Sequence, residues 1–119
     1  MFFRIYTALN LKRPKLLIIG DAEVNTGFAR VIQSIFSRIS QHYELHQLAT
    51  HYKGGSHKNE WPLYKAKTEH DPYGYARIPE LIDKLNPEIV FIIYDLTFQV
   101  EYLKHLDACN GDFKVAIYS

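Results

Sequence analysis

The chain has 119 residues, with 14 Lys and Arg set against 13 Asp and Glu, for a formal net charge of +1. That length fits one domain with one core, and the near balance of charge gives no general field toward nucleic acid or an anionic membrane. With 47% hydrophobic and 23% charged residues, the composition excludes disordered, collagen-like and coiled-coil chains.

The single cysteine, Cys109, rules out an intrachain disulfide and points to a reducing compartment. The opening Met1-Phe2-Phe3-Arg4-Ile5-Tyr6 lacks a basic region followed by a long apolar one, so no signal peptide is expected. No apolar run approaches the ~20 residues of a membrane span. The expectation is a cytoplasmic chain.

Residues 1–14 stand outside any periodic pattern. They read as an amino-terminal extension, adding either an edge strand or a short helix. Lys15 to Gly20 is a continuous apolar run closed by glycine, the pattern of a strand buried on both faces. Phe28, Val31, Ile32, Ile35, Phe36 and Ile39 then repeat at helical spacing, with Thr26 or Asn25 as the cap. Tyr43 to Thr50 reads as a second strand. Leu63 to Ala66 reads as a short third one, inside a polar stretch rich in turn formers.

Ile78, Leu81, Ile82 and Leu85 mark a second helix, with Pro79 in its first turn and Asn86-Pro87 at its end. Ile89 to Tyr94 carries the strongest strand pattern and has to be central. Phe98, Tyr102, Leu103 and Leu106 mark a further helix. Asn110-Gly111 turns the chain into a last strand, Phe113 to Tyr118. The alternation predicts an α/β fold, a Rossmann-like doubly wound parallel sheet of order 3-2-1-4-5 spanning residues 15–119.

In such sheets ligands bind beyond the carboxyl ends of the strands, where the strand order reverses. That directs attention to the loop Gly20 to Gly27 and to Asp95. Gly20 would turn the chain sharply out of its strand. Gly27 would let a ligand approach the free N–H groups of the helix that follows. The alternative is a glycine-flanked connection that holds nothing. Arg30 either reaches an anion at this loop or pairs with Asp21 or Glu23. Asp95 either holds a sugar hydroxyl or caps the helix after it.

The six histidines lack metal-ligand spacing, so no metal or other cofactor is expected. Cys109 has no base beside it in the sequence, which argues against a catalytic thiol.

The segment KLLIIGDAEVNTGFARVIQSIF resembles the opening of the GT-B retaining glycosyltransferases, the group-one or glycogen-synthase-like class. DPYGYARIPELIDKLNPEIVFIIYDLTF is similar to a later stretch of the same half. The resemblance runs from about Lys15 to Ser119. It rests on the Thr26-to-Arg30 string Thr-Gly-Phe-Ala-Arg together with Asp95-Leu96. It implies two Rossmann-like halves around a cleft, of which this is the amino-terminal, acceptor-side one. The implied activity is hexosyl transfer from a nucleotide diphosphate sugar to an unknown acceptor.

Carried over residue by residue, the substrate-binding set is Gly20, Asp21, Thr26, Gly27, Phe28, Arg30 and Asp95. The resemblance assigns no catalytic base. Relatives continue with a donor-binding half that this sequence lacks. The expectation is therefore an incomplete domain, inactive alone, whose second half belongs to the rest of a longer frame or to a partner chain. The rival expectation is a non-catalytic α/β binding or assembly module.

Overall fold

The computed structural model describes residues 13–118. The expectation for residues 1–14 therefore lies almost entirely outside the described residues, as does Ser119.

Five parallel strands form one sheet: β1 (Lys15–Asp21), β2 (Glu44–Thr50), β3 (Leu63–Lys65), β4 (Ile89–Ile93) and β5 (Lys114–Tyr118). Their order is β3-β2-β1-β4-β5, the Rossmann-like order expected from the alternating pattern. The two strongest apolar runs are adjacent and central. Leu16 pairs with Ile89 and Ile19 with Ile92, and Leu17, Ile18, Ile19, Val90, Ile92 and Ile93 are wholly buried.

Among the described residues, three helices complete the layers: α1 (Gly27–Ile39), α2 (Ile78–Leu85) and α3 (Leu96–Asp107), with a 3₁₀ turn at Tyr75–Arg77 leading into α2. Side chains alternate along a strand, so each core strand feeds two cores. Leu16, Ile18, Leu45 and Ile93 meet Ile32 and Phe36 of α1 on one face. Leu17, Ile19, Leu48, Val90 and Ile92 meet α2 and α3 on the other, through Ile78, Leu81, Leu85, Tyr102 and Leu106.

Local signals account for the ends of these helices. Thr26 caps α1 by accepting a hydrogen bond from the Ala29 amide. Pro79 lies in the first turn of α2, and Asn86 closes that helix in the left-handed region, with φ 47°. No helix joins β2 to β3. Trp61, in the connecting loop, is 3% exposed and takes a place in the α1-side core, its indole N–H donating to Gln47 Oε1 at 2.9 Å.

Strand ends shift from the sequence expectation by one residue in β2, β3, β4 and β5, and two further boundaries bear on the site. The helix α3 starts at Leu96, earlier than its first apolar marker Phe98, because the Gln99 amide bonds the Asp95 carbonyl. The strand β1 runs on through Gly20 to Asp21, which pair with Ala49 and Thr50. Gly20 is therefore no turn residue. A Cβ built there would lie 2.5 Å from Ile32 Cδ1 and 2.9 Å from the Ile93 carbonyl oxygen. Its missing side chain is what seats α1 on the sheet. The expected result of Gly20→Ala is a loss of about 1–3 kcal/mol from overpacking, read as a lower urea midpoint at unchanged m-value. An unchanged midpoint would show that α1 shifts freely.

Candidate functional site

Because β1, β2 and β4 are parallel neighbours, Asp21, Thr50-His51 and Tyr94-Asp95 all leave the sheet from its carboxyl edge. The centre of this rim is the Asp21 carboxylate, 3% exposed. Its Oδ2 accepts from the Thr26 hydroxyl at 2.8 Å. Its Oδ1 accepts from the Thr50 hydroxyl at 2.6 Å and faces His51 Nδ1 at 2.9 Å. One buried carboxylate thereby links the end of β1, the cap of α1 and the end of β2. The backbone on either side is unusual: Glu23 (φ 59°) and His51 (φ 65°) both occupy the left-handed region.

The phenol of Tyr94 faces the same group from β4. Burial, then the nearby Asp21 charge, pushes its pKa up to about 12. Its ring lies 5.7 Å from that of Phe28 and 4.8 Å from that of Phe98, centroid to centroid. Tyr73 closes on Phe98 at 4.5 Å. This aromatic cluster packs the start of α1 against the end of β4.

A cleft of about 360 Å³ opens between the loop and the first turns of α1, lined in part by Asp21, Glu23, Asn25, Arg30, Gln33 and Asn59. Arg30 is exposed there, and its Nη1 donates to Asn25 Oδ1 at 2.7 Å. The Asp21 or Glu23 pairing considered from the sequence does not form. Arg30 lines a cleft that also carries two carboxylates, Asp21 and Glu23.

The predicted residues thus divide. Asp21 and Arg30 share the cleft. Thr26 joins them through Asp21 while capping α1. Gly20 and Phe28 serve packing. Gly27 is exposed at the first helical position, and a Cβ there would meet nothing within 4 Å. Its amide and that of Phe28 have no intrahelical acceptor. Asp95 is exposed at the cap position of α3, but its side chain makes no capping bond. It stands at the end of the neighbouring strand and does not line the cleft.

Thr50, His51 and Tyr94 were missed by the sequence reading. The signal was present, since each ends or follows a predicted strand at the edge where ligands bind. Among the described residues, no group of three or more His, Cys, Asp and Glu side chains converges to hold a metal ion. Cys109 donates to the His105 carbonyl at 3.3 Å, and burial, then Asp83, pushes its thiol up, away from a reactive thiolate.

No family model matches this sequence, and no curated protein matches it. The structure identifies a Rossmann-like α/β domain. None of its described helices is long and apolar enough to cross a membrane.

The Tyr94 environment makes a signed prediction. A phenol whose folded pKa is raised stabilises the fold fully below the ordinary value near 10, and that contribution fades as pH climbs through about 12. Between pH 9 and 11.5 the protein should lose about 2 kcal/mol through this group. Tyr94→Phe should lose less over the same interval, by urea unfolding at both pH values. Equal losses would mean that the hydroxyl ionises freely in the folded state.

Proposed function

We propose that this chain is the amino-terminal, acceptor-side portion of a glycosyltransferase that moves a sugar from a nucleotide diphosphate sugar to a hydroxyl acceptor. The observation that supports the reading is the position of the Gly20-to-Arg30 string at the carboxyl end of β1, beside the end of β4, where the strand order reverses. In this reading the open Gly27 corner and the first amides of α1 face the donor's diphosphate or sugar. Arg30 adds charge, and Asp95 binds an acceptor hydroxyl from the next strand. The chemistry asked of this half is orientation and electrostatic stabilisation of the leaving diphosphate. The donor nucleotide is held by a second Rossmann-like half, supplied by further sequence or a partner chain.

One observation favours the rival reading of an assembly module. The edge strand β5 leaves Val115, Ile117 and Tyr118 37%, 41% and 40% exposed, and Leu96 of α3 is 74% exposed. Such an edge invites association.

Calorimetry and amide-resolved NMR with a panel of nucleotide diphosphate sugars test the proposal. A single exposed anion contact contributes about 1 kcal/mol, whereas micromolar binding needs about 8 kcal/mol. The chain alone should therefore release no nucleotide diphosphate. Its weak binding should move the amides of residues 21–30. Gly27→Ala separates this role from folding. It should hold or raise stability by up to about 1 kcal/mol, because alanine suits a helix better than glycine, yet it should diminish those amide shifts. Low-micromolar donor binding, turnover by the chain alone, or no response of the loop would each refute the proposal.

A further inference from the structure

The polar stretch between β2 and β3 has no role in the sugar-transfer reading, and its charge is uneven. The chain's 14 Lys and Arg nearly balance its 13 Asp and Glu, yet residues 51–67 contain Lys53, Lys58, Lys65 and Lys67 against one carboxylate, Glu60. All four lysines are exposed. None of them enters an ion pair among the described residues. Glu60 meets the far end of α1, where its Oε2 accepts from the Ser40 hydroxyl at 3.2 Å. The next carboxylates along the chain are also engaged elsewhere. Asp71 accepts from the amides of Tyr73, Gly74 and Ala76, and Glu80 pairs with Arg77.

The fold gathers these lysines at one corner of the carboxyl edge. Lys65 ends β3 in register with Ala49 of β2, and Lys67 follows two residues later. The turn after β2 folds back on this edge. The Tyr52 hydroxyl donates to the Gly55 carbonyl, and a Cβ built on Gly54 would lie 3.7 Å from Lys65 Cδ. Gly54 and Gly55 take φ 92° and 84°, and their exposed amides find no acceptor among the described residues.

This corner adjoins the cleft. The Lys58 amide donates to Glu23 Oε1 at 3.1 Å, and Glu23 and Asn59 both line the cleft beside Asn25 and Gln33. Amide side chains suit neutral hydroxyls, whereas lysines suit negative groups. Tyr52 and Trp61 are buried, and Tyr64 packs against His46 with Lys84 over its ring. The tyrosine and tryptophan rings of the stretch are therefore not free to stack nucleic-acid bases.

We infer that this corner binds negative groups carried on a chain of sugars, the acceptor. That the sugar chain is an acceptor rests on the sugar-transfer reading, whereas the binding itself does not. Asp95 follows β4, three strands away from β3, a separation of about 14 Å at the strand spacing of a sheet. A hydroxyl held at Asp95 and a charge held at Lys65 thus belong to different sugar units. The corner contributes affinity and register and takes no part in bond making at the sugar carbon.

The test uses the 119-residue chain without a sugar nucleotide. The probes are hexagalacturonate, maltohexaose phosphorylated at its primary hydroxyls, and unmodified maltohexaose. At least one acidic chain should shift the amides of residues 53–58 and 65–67, and the neutral chain should not. The tighter of the two identifies the negative group as carboxylate or phosphate. Changing Lys53, Lys65 and Lys67 together to Gln should weaken that binding about tenfold, since an exposed ion pair is worth about two- to threefold. Changing the exposed Arg38, Lys104 and Lys114 to Gln removes the same charge elsewhere and should leave binding unchanged. Should either variant unfold, the shifts in the unaltered chain still decide. Equal losses in both variants, equal shifts with maltohexaose, or tighter binding of a hexathymidylate than of either acidic sugar chain would overturn the proposal. A silent corner beside a loop that responds to nucleotide sugars would overturn it and leave the transfer reading standing. A responding corner beside a silent loop would uphold the acidic-sugar site and refute the transfer reading.

Discussion

The architecture of the carboxyl-edge rim depends on one buried charge. Moving a carboxylate out of water is expensive unless donors replace the lost hydration. For Asp21 the replacements come from two places in the sequence: Thr26 ahead of α1, and the adjacent Thr50 and His51 at the end of β2. The donors come from the α1 cap and from the end of β2, so satisfying the charge also fixes those two segments relative to each other. An apolar residue at position 21 would leave the buried Thr50 hydroxyl and the partly buried Thr26 hydroxyl without this acceptor. The loop, the helix cap and the histidine would then lose their common reference.

Gln47 has a similar role deeper in the sheet, without the charge. Fully buried in β2, it donates to the carbonyls of Gly20 and Asp21 and accepts from the Trp61 indole. All its amide hydrogen-bonding is directed at the end of β1 and at the loop that replaces a β2–β3 helix. Together the two polar residues anchor the ends of the two strands whose following loops carry Glu23 and His51 in the left-handed region. The rim is built on strand ends held by buried hydrogen bonds, which suits a site needing fixed geometry.

The strand order and the three described helices were legible because apolar runs and helical spacing are one-dimensional signals, and the right-handed crossover rule leaves few closures. The cap of α1 was legible as Thr26 or Asn25, and the structure selects Thr26. Gly20 was misread because a glycine at a strand end looks like a turn. Only the packing of Ile32 and the Ile93 carbonyl over it reveals a steric role. The ambiguity at Arg30 resolved toward Asn25, a partner no charge rule would select. The Asp21–His51 contact spans 30 positions, and no local pattern announces it. It follows from the parallel pairing of β1 with β2, once the register puts Asp21 opposite Thr50.

Trp61 is the chain's one tryptophan, and it lies on the α1 side of the sheet, edge-on to Phe36 at 6.5 Å. The opposite core, under α2 and α3, is rich in tyrosine instead, with Tyr73, Tyr75, Tyr94 and Tyr102 in mutual ring contact. The two sides of the sheet are therefore optically distinct. Indole emission reports whether the β2–β3 loop and α1 are seated, while tyrosine absorbance is weighted toward the packing of α2 and α3, with Tyr43 the tyrosine packed on the α1-side core. A partial unfolding that opened one side alone would separate the two signals in a single unlabelled sample.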